Sequence, residues 1–205
     1  MTGLQATGIT VTYGATTVLD GVDVSAPAGT ITGVTGASGS GKSTLLRVLA
    51  GLQTPDAGVV RHHGAPTAPK GSVALLAQHP RQVCNPRWTL RQTISEPALI
   101  RGERVSVADV AARAGLDTTL LDRCPGQVSD GQLQRACLGR VLAQRAATVL
   151  CDEPTAMLDP IATGSVMTLL RDIADDGAVV VLVSHDPALV SALTDDALAL
   201  PRPLG

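Results

Sequence analysis

Phenylalanine is absent from this chain of 205 residues, and tyrosine and tryptophan occur once each, as Tyr13 and Trp88. The core must therefore come from Ala, Val, Leu and Ile, and each aromatic ring invites a specific explanation. Basic residues number 16 against 18 acidic ones, a formal net charge of −2. That balance offers no broad basic field, so no nucleic-acid partner is expected. Cys84, Cys124, Cys137 and Cys151 include no C-x-x-C pair, which argues against zinc and disulfide frameworks and fits thiols in a reducing cytoplasm. The longest apolar run, residues 178–183, is far short of the ~20 needed to cross a bilayer. The start, MTGLQATGIT, lacks the charged and apolar stretches of a signal peptide. Any membrane role is expected to act through a partner.

What the chain does contain is GASGSGKST, residues 36–44, which fits G-x-x-x-x-G-K-[ST]. A short β-type run with Ile31 and Val34 precedes it, and helical spacing follows over residues 43–52, the strand–loop–helix setting the motif requires. Gly36, Ala37, Ser38, Gly39, Ser40 and Gly41 are expected to turn backbone N–H groups towards phosphate oxygens. The helix beginning near Lys42, Ser43 and Thr44 adds its positive end. Lys42 is expected to reach the β- and γ-phosphates, and the Ser43 hydroxyl to hold Mg²⁺.

Residues 4–31 read as short alternating β segments broken by turns, and residues 53–64 as a turn and a strand returning to that layer. Adjacent His62 and His63 point to opposite faces of this strand, which suits surface residues better than a shared metal site. Residues 72–78 form an apolar strand. Helical spacing marks 89–99, 106–114 and 132–144, a helical insertion. Buried strands follow at 148–150 and 178–183, with a helix over 160–174. The expected fold is α/β: a P-loop NTPase core with a mainly parallel sheet, an N-terminal antiparallel β layer (about 1–31 and 56–72) and a helical subdomain (about 86–144), within a single domain, 1–205. The ligand site of such a sheet lies at the strands' C-terminal ends, where Gly36, Gln78, Asp152 and His185 fall.

Asp152 and Glu153 close an apolar strand, where one carboxylate can orient Mg²⁺ and the other polarise the attacking water. His185 ends the following strand and is suited to donate to a γ-phosphate. Taken in order, these segments resemble the ATP-binding subunits of ABC transporters. Tyr13 resembles the aromatic that stacks on adenine, residues 36–43 the Walker A motif and Gln78 the Q-loop glutamine. VSDGQ (128–132) resembles the signature motif, VLCDE (149–153) Walker B with its catalytic glutamate, MLD (157–159) the D-loop and His185 the switch histidine.

The resemblance implies a head-to-tail dimer sandwiching two ATP molecules with Mg²⁺. Glu153, His185, Lys42 and Gln78 are its implied catalytic residues, and Ser43, Gln78 and Asp152 its metal-binding ones. Nucleotide contacts fall to Tyr13, the loop 36–44, Asp159 and, across the interface, Ser129, Gly131 and Gln132. Further implied partners are a transmembrane permease and, for an importer, an extracytoplasmic solute-binding protein, placing the subunit peripherally on the cytoplasmic side of the membrane. Residues 79–102, with Asn85-Pro86-Arg87, Thr89, Glu96 and Pro97, resemble the peptide and nickel importer subfamily; Trp88 is then expected at an exposed edge facing the permease. Asp130 replaces the signature's first glycine, and a carboxylate there is expected to weaken closure on a polyanion. Alternatives are a soluble ABC ATPase of a non-transport complex and a weakly hydrolysing partner in a heterodimer.

Overall fold

Alternation interrupted by a register shift between Ala6 and Ile9 builds the first layer of the computed structural model, which describes residues 3–156 and 158–201. In β1 (Leu4–Tyr13), Leu4, Ala6, Ile9 and Val11 are buried. β1 pairs antiparallel with both β2 (Thr16–Ala26) and β4 (Ala57–His62). This layer is tighter than the expected 1–31 and 56–72: Ile31 already belongs to the other sheet, and residues 63–72 run as turns and loop. His62 corrects the surface reading of the histidine pair, since its side chain is buried, 5% exposed, at the end of β4.

The second sheet contains β3 (Ile31–Thr35), β5 (Val73–Leu76), β6 (Thr148–Asp152), β7 (Val179–Val183) and β8 (Asp196–Ala199), in the order β5-β6-β7-β3-β8. Every pairing in it is parallel. All five residues of β7 are buried, as expected of a central strand covered on both faces. β8 lies outside the expected strands: DALA carries little strand signal, and its place beside β3 is set by pairing across the chain.

Helix α1 (Lys42–Leu49) buries Leu45, Leu46, Val48 and Leu49 between the two sheets, against a cluster that includes Ile9, Leu19, Leu150 and Val181. The other face of the parallel sheet is covered by α5 (Asp130–Gln144), α6 (Pro160–Asp175) and α7 (Pro187–Leu193). The helical insertion consists of α2 (Pro80–Val83), α3 (Leu90–Ile100) and α4 (Val107–Arg113), with α5 as its spine. Leu90, Ile94, Ala111, Leu116 and Leu133 form its own core. Capping residues set the starts: Thr89, Ser106, Ser129, Asp159 and Asp186 each accept a backbone N–H from the first turn of their helix. The α5 start consequently lies at Asp130, ahead of the Gln132 expected from periodicity. Among the described residues, no helix is long and apolar enough to cross a membrane.

Candidate nucleotide site

Two glycines shape the loop between β3 and α1. Gly41 has φ 91°, in the left-handed region, and a Cβ there would approach Leu19 and Val18 of β2 to 2.8 and 2.9 Å. Gly36 has φ 154°, and its Cβ would meet Ser40 Oγ at 2.5 Å and the Leu200 carbonyl oxygen at 3.1 Å. The Lys42 ammonium donates to the carbonyl oxygens of Gly36 (2.8 Å) and Ala37 (3.0 Å), drawing the loop around its own cation. Ser40 is turned inward and buried.

A cleft of 540 Å³ opens over this loop, lined by Tyr13, Val18, Ser38, Gly39, Gly41, Lys42, Ser43, Thr44, Gln78, Asp152, Glu153 and His185. Its size is in the range of small-molecule sites. The β3 loop, the end of β5, the end of β6 and the end of β7 thus converge, as the ends of a parallel sheet should. Tyr13 is half exposed and donates its hydroxyl proton to Gln53 Oε1 at 2.8 Å, which fixes the ring at the rim.

Glu153 is the most constrained acid of the cleft. It is buried, has φ 48°, and anchors its N–H on the Val183 carbonyl of β7 at 3.0 Å. A left-handed non-glycine residue carries strain of order 1 kcal/mol, which the surrounding sheet must hold. Ser184 Oγ donates to Glu153 Oε2 at 3.3 Å, and His185 Nδ1 lies 2.9 Å from Oε1, with the imidazole 71% exposed. The carboxylate is aimed by β7 while its histidine partner faces solvent.

These residues suit a magnesium–nucleoside triphosphate. Ser43, Gln78 and Asp152 bring hydroxyl, amide and carboxylate oxygens to one cleft, the hard donors Mg²⁺ prefers, and Lys42 with the α1 N-terminus supplies the positive charge phosphates require.

Ser129, Gly131, Gln132 and Asp159 do not line this cleft. Ser129 and Gln132 form a capping box, in which Ser129 Oγ accepts from Gln132 N (3.2 Å) and Gln132 Oε1 accepts from Ser129 N (2.9 Å). Asp159 caps α6 by accepting from Ala162 N at 2.9 Å, and such bonding holds its carboxyl below the usual range. Met157, of the same MLD segment, lies outside the described residues.

The sequence reading missed Arg81 in α2. Its Nε donates to Asp130 Oδ1 at 2.5 Å, and its two terminal nitrogens donate to the carbonyls of Pro125 and Val128, both at 2.8 Å. Asp130 therefore carries a counter-cation, supplied from the segment that follows Gln78. Trp88 is half-buried against a separate 300 Å³ cavity, where an exposed edge was expected.

The sequence pattern described as ABC transporter matches residues 19–156. The chain belongs to the ABC transporter family. It is 33% identical over 189 residues to the lipoprotein-releasing system ATP-binding protein LolD of Chromohalobacter salexigens, covering 85% of this chain and 79% of LolD. It is also 33% identical over 189 residues to the nickel import ATP-binding protein NikE of Escherichia coli O6:K15:H31, covering 84% and 70%. The methionine import ATP-binding protein MetN of Caulobacter vibrioides is 33% identical over 210 residues, covering 95% of this chain and 62% of MetN. The dimeric structure of MJ0796, a bacterial ABC transporter cassette, superposes with a TM-score of 0.87 at 25% identity, covering 96% of this chain and 94% of that one. The chain is an ATP-binding ABC ATPase subunit.

Proposed function

We propose that this ABC ATPase works as half of a head-to-tail dimer and powers a membrane permease importing peptides, nickel or a similar small solute. One observation carries the dimer: the cleft gathers Tyr13, the glycine loop, Gln78, Asp152, Glu153 and His185, while Ser129, Gly131 and Gln132 stand elsewhere at the start of α5. A complete site then needs the α5 start of a second subunit. The importer reading is supported by the Asn85-Pro86-Arg87 and Glu96-Pro97 segment and by the likeness to NikE. LolD and MetN are equally identical, so the solute follows the permease and any extracytoplasmic binding protein.

Lys42 and the N–H groups of residues 36–44 bind the β- and γ-phosphates, and Tyr13 stacks on adenine. Ser43, Asp152 and Gln78 hold Mg²⁺, which offsets the negative charge of the triphosphate. Glu153 takes the proton of the attacking water, steadied by Ser184 and by its bond to β7. His185, whose Nδ1 stands 2.9 Å from Glu153 Oε1, contacts a γ-phosphate oxygen. Asp159 faces the nucleotide of the interface, and Ser129, Gly131 and Gln132 close over the partner's γ-phosphate. Gln78 passes closure to the permease on the cytoplasmic side of the membrane.

Glu153→Gln protein, sized with and without ATP-Mg²⁺, tests this. A shift from monomer to dimer with ATP, together with turnover lowered about a hundredfold or more, is the expected result. A monomer that binds ATP and stays monomeric overturns the homodimer and points to a different second ATPase subunit.

A further inference from the structure

Outside the nucleotide cleft, Cys84 at the end of α2 faces Cys137 in the middle of α5 with the two sulfurs 3.4 Å apart. Both thiols are free, Cys84 half-buried and Cys137 buried. They line the same 300 Å³ cavity, beside Trp88 and Arg140, with Cys84 the more accessible of the two. Arg140 is fixed there by Glu96, whose Oε2 accepts from Nε at 2.9 Å and from Nη2 at 2.7 Å. A disulfide has a sulfur–sulfur length of about 2.05 Å, so closure asks for an approach of little more than about 1 Å.

The two thiols are unequal. The hydrogen bond shared by the two sulfurs, aided by the Arg140 charge, holds the Cys84 thiol below its ordinary pKa, whereas that bond and burial push Cys137 up. Cys84, the less buried of the two sulfurs and with Arg140 beside it in the cavity to favour its thiolate, attacks first. We propose that Cys84 and Cys137 are a modification site for hydroperoxides, closing to a disulfide that ties the segment following Gln78 to the α5 helix.

In the first step the Cys84 thiolate attacks the terminal oxygen of the hydroperoxide. The O–O bond breaks, Cys84 becomes a sulfenic acid, and the departing alkoxide takes a proton to leave as an alcohol, or as water where the oxidant is hydrogen peroxide. In the second, the Cys137 sulfur attacks the Cys84 sulfur; the S–S bond forms, the S–O bond breaks, and hydroxide leaves with the Cys137 proton as water. The two thiols together lose two electrons and two protons, and the hydroperoxide is reduced. Because α2 follows Gln78 and α5 begins at Asp130, next to its cap Ser129, the bond pins together two segments that must adjust as the site closes, and turnover falls.

Wild-type protein treated with hydrogen peroxide and mapped by mass spectrometry without reduction should yield a peptide pair cross-linked through Cys84 and Cys137. ATP turnover should fall several-fold and recover with dithiothreitol, and Cys84→Ser should abolish both effects. Recovery of Cys137 as a free thiol, with Cys84 unchanged or oxidised to sulfinic acid, overturns the site. A complete cross-link with unchanged turnover overturns the locking. The turnover readout rests on the ATPase activity, whereas the peptide map stands without it, so the two failures are distinguishable.

Discussion

Asp130 places a negative charge in the first turn of α5, beside the groups proposed to meet a partner's γ-phosphate, and on its own that charge should oppose closure. Arg81 changes the balance by pairing with it and by holding the Pro125 and Val128 carbonyls of the preceding loop. An ion pair with both partners about half exposed contributes at most ~1 kcal/mol to stability, so its larger effect should be on the charge presented to ATP. Arg81→Met is accordingly expected to lower ATP turnover several-fold, and to lower the denaturation midpoint through the Pro125 and Val128 carbonyls it leaves unpaired. Adding Asp130→Gly to Arg81→Met should restore most of the lost turnover. Steady-state ATPase assays on the two single variants and the double variant decide this; a double variant as slow as Arg81→Met would mean that Arg81 acts through the loop carbonyls and not by neutralising Asp130. Asp130 could be picked out from the sequence because it interrupts a motif. Arg81 could not, because it lies 49 positions away and two of its three bonds go to backbone carbonyls, which leave no mark on residue type.

Two helices of the insertion begin with the same device. Thr89 caps α3 with Gln92 reaching back, and Ser129 caps α5 with Gln132 reaching back. Replacing either cap by alanine should cost about 1 kcal/mol. Their functional consequences should differ: Thr89→Ala should leave turnover per folded molecule unchanged, while Ser129→Ala should also lower turnover and weaken ATP-dependent dimerisation. Denaturant titration paired with ATPase measurement checks both, and equal turnover losses would remove the special role of Ser129. Helical spacing, with a first-turn proline in α6, places the starts of α3, α4 and α6 to within a residue, whereas the α5 start precedes its periodic stretch by two residues. The short α2 and β8 were not legible. Four residues in α2 give no period to detect, and β8 owes its position to β3, far away in the chain. The phosphate loop, Asp152, Glu153 and His185 were legible for a related reason: they sit inside a glycine loop or at the end of a strongly apolar strand, so local pattern and final position coincide.

At the scale of the whole molecule the two sheets share the core cluster around α1, and the fate of one depends on the other. His62 shows how such burial escapes a local reading. Its strand partner is Leu4, and it lies in the covered end of the antiparallel layer, although adjacent positions on a strand read as suiting the surface. Burial, and then the neighbouring His63 charge, hold its pKa below the ordinary value near 6.5. The unfolded chain therefore takes up a proton as pH falls through about 6.5 while the folded chain resists it, so stability is full above that value and lost below it. Asp195, held below the usual carboxylate range by the Ile31 N–H and by Arg171, has the same sign in a lower window: its contribution is present above a pH of about 4 and fades beneath it. The two effects separate on the pH axis. Between about pH 7.5 and about pH 5.5 the wild-type urea midpoint should fall, and in His62→Gln, which cannot charge, it should fall distinctly less. Identical falls in the two proteins would show that His62 gains its proton without cost and that some other group governs acid sensitivity.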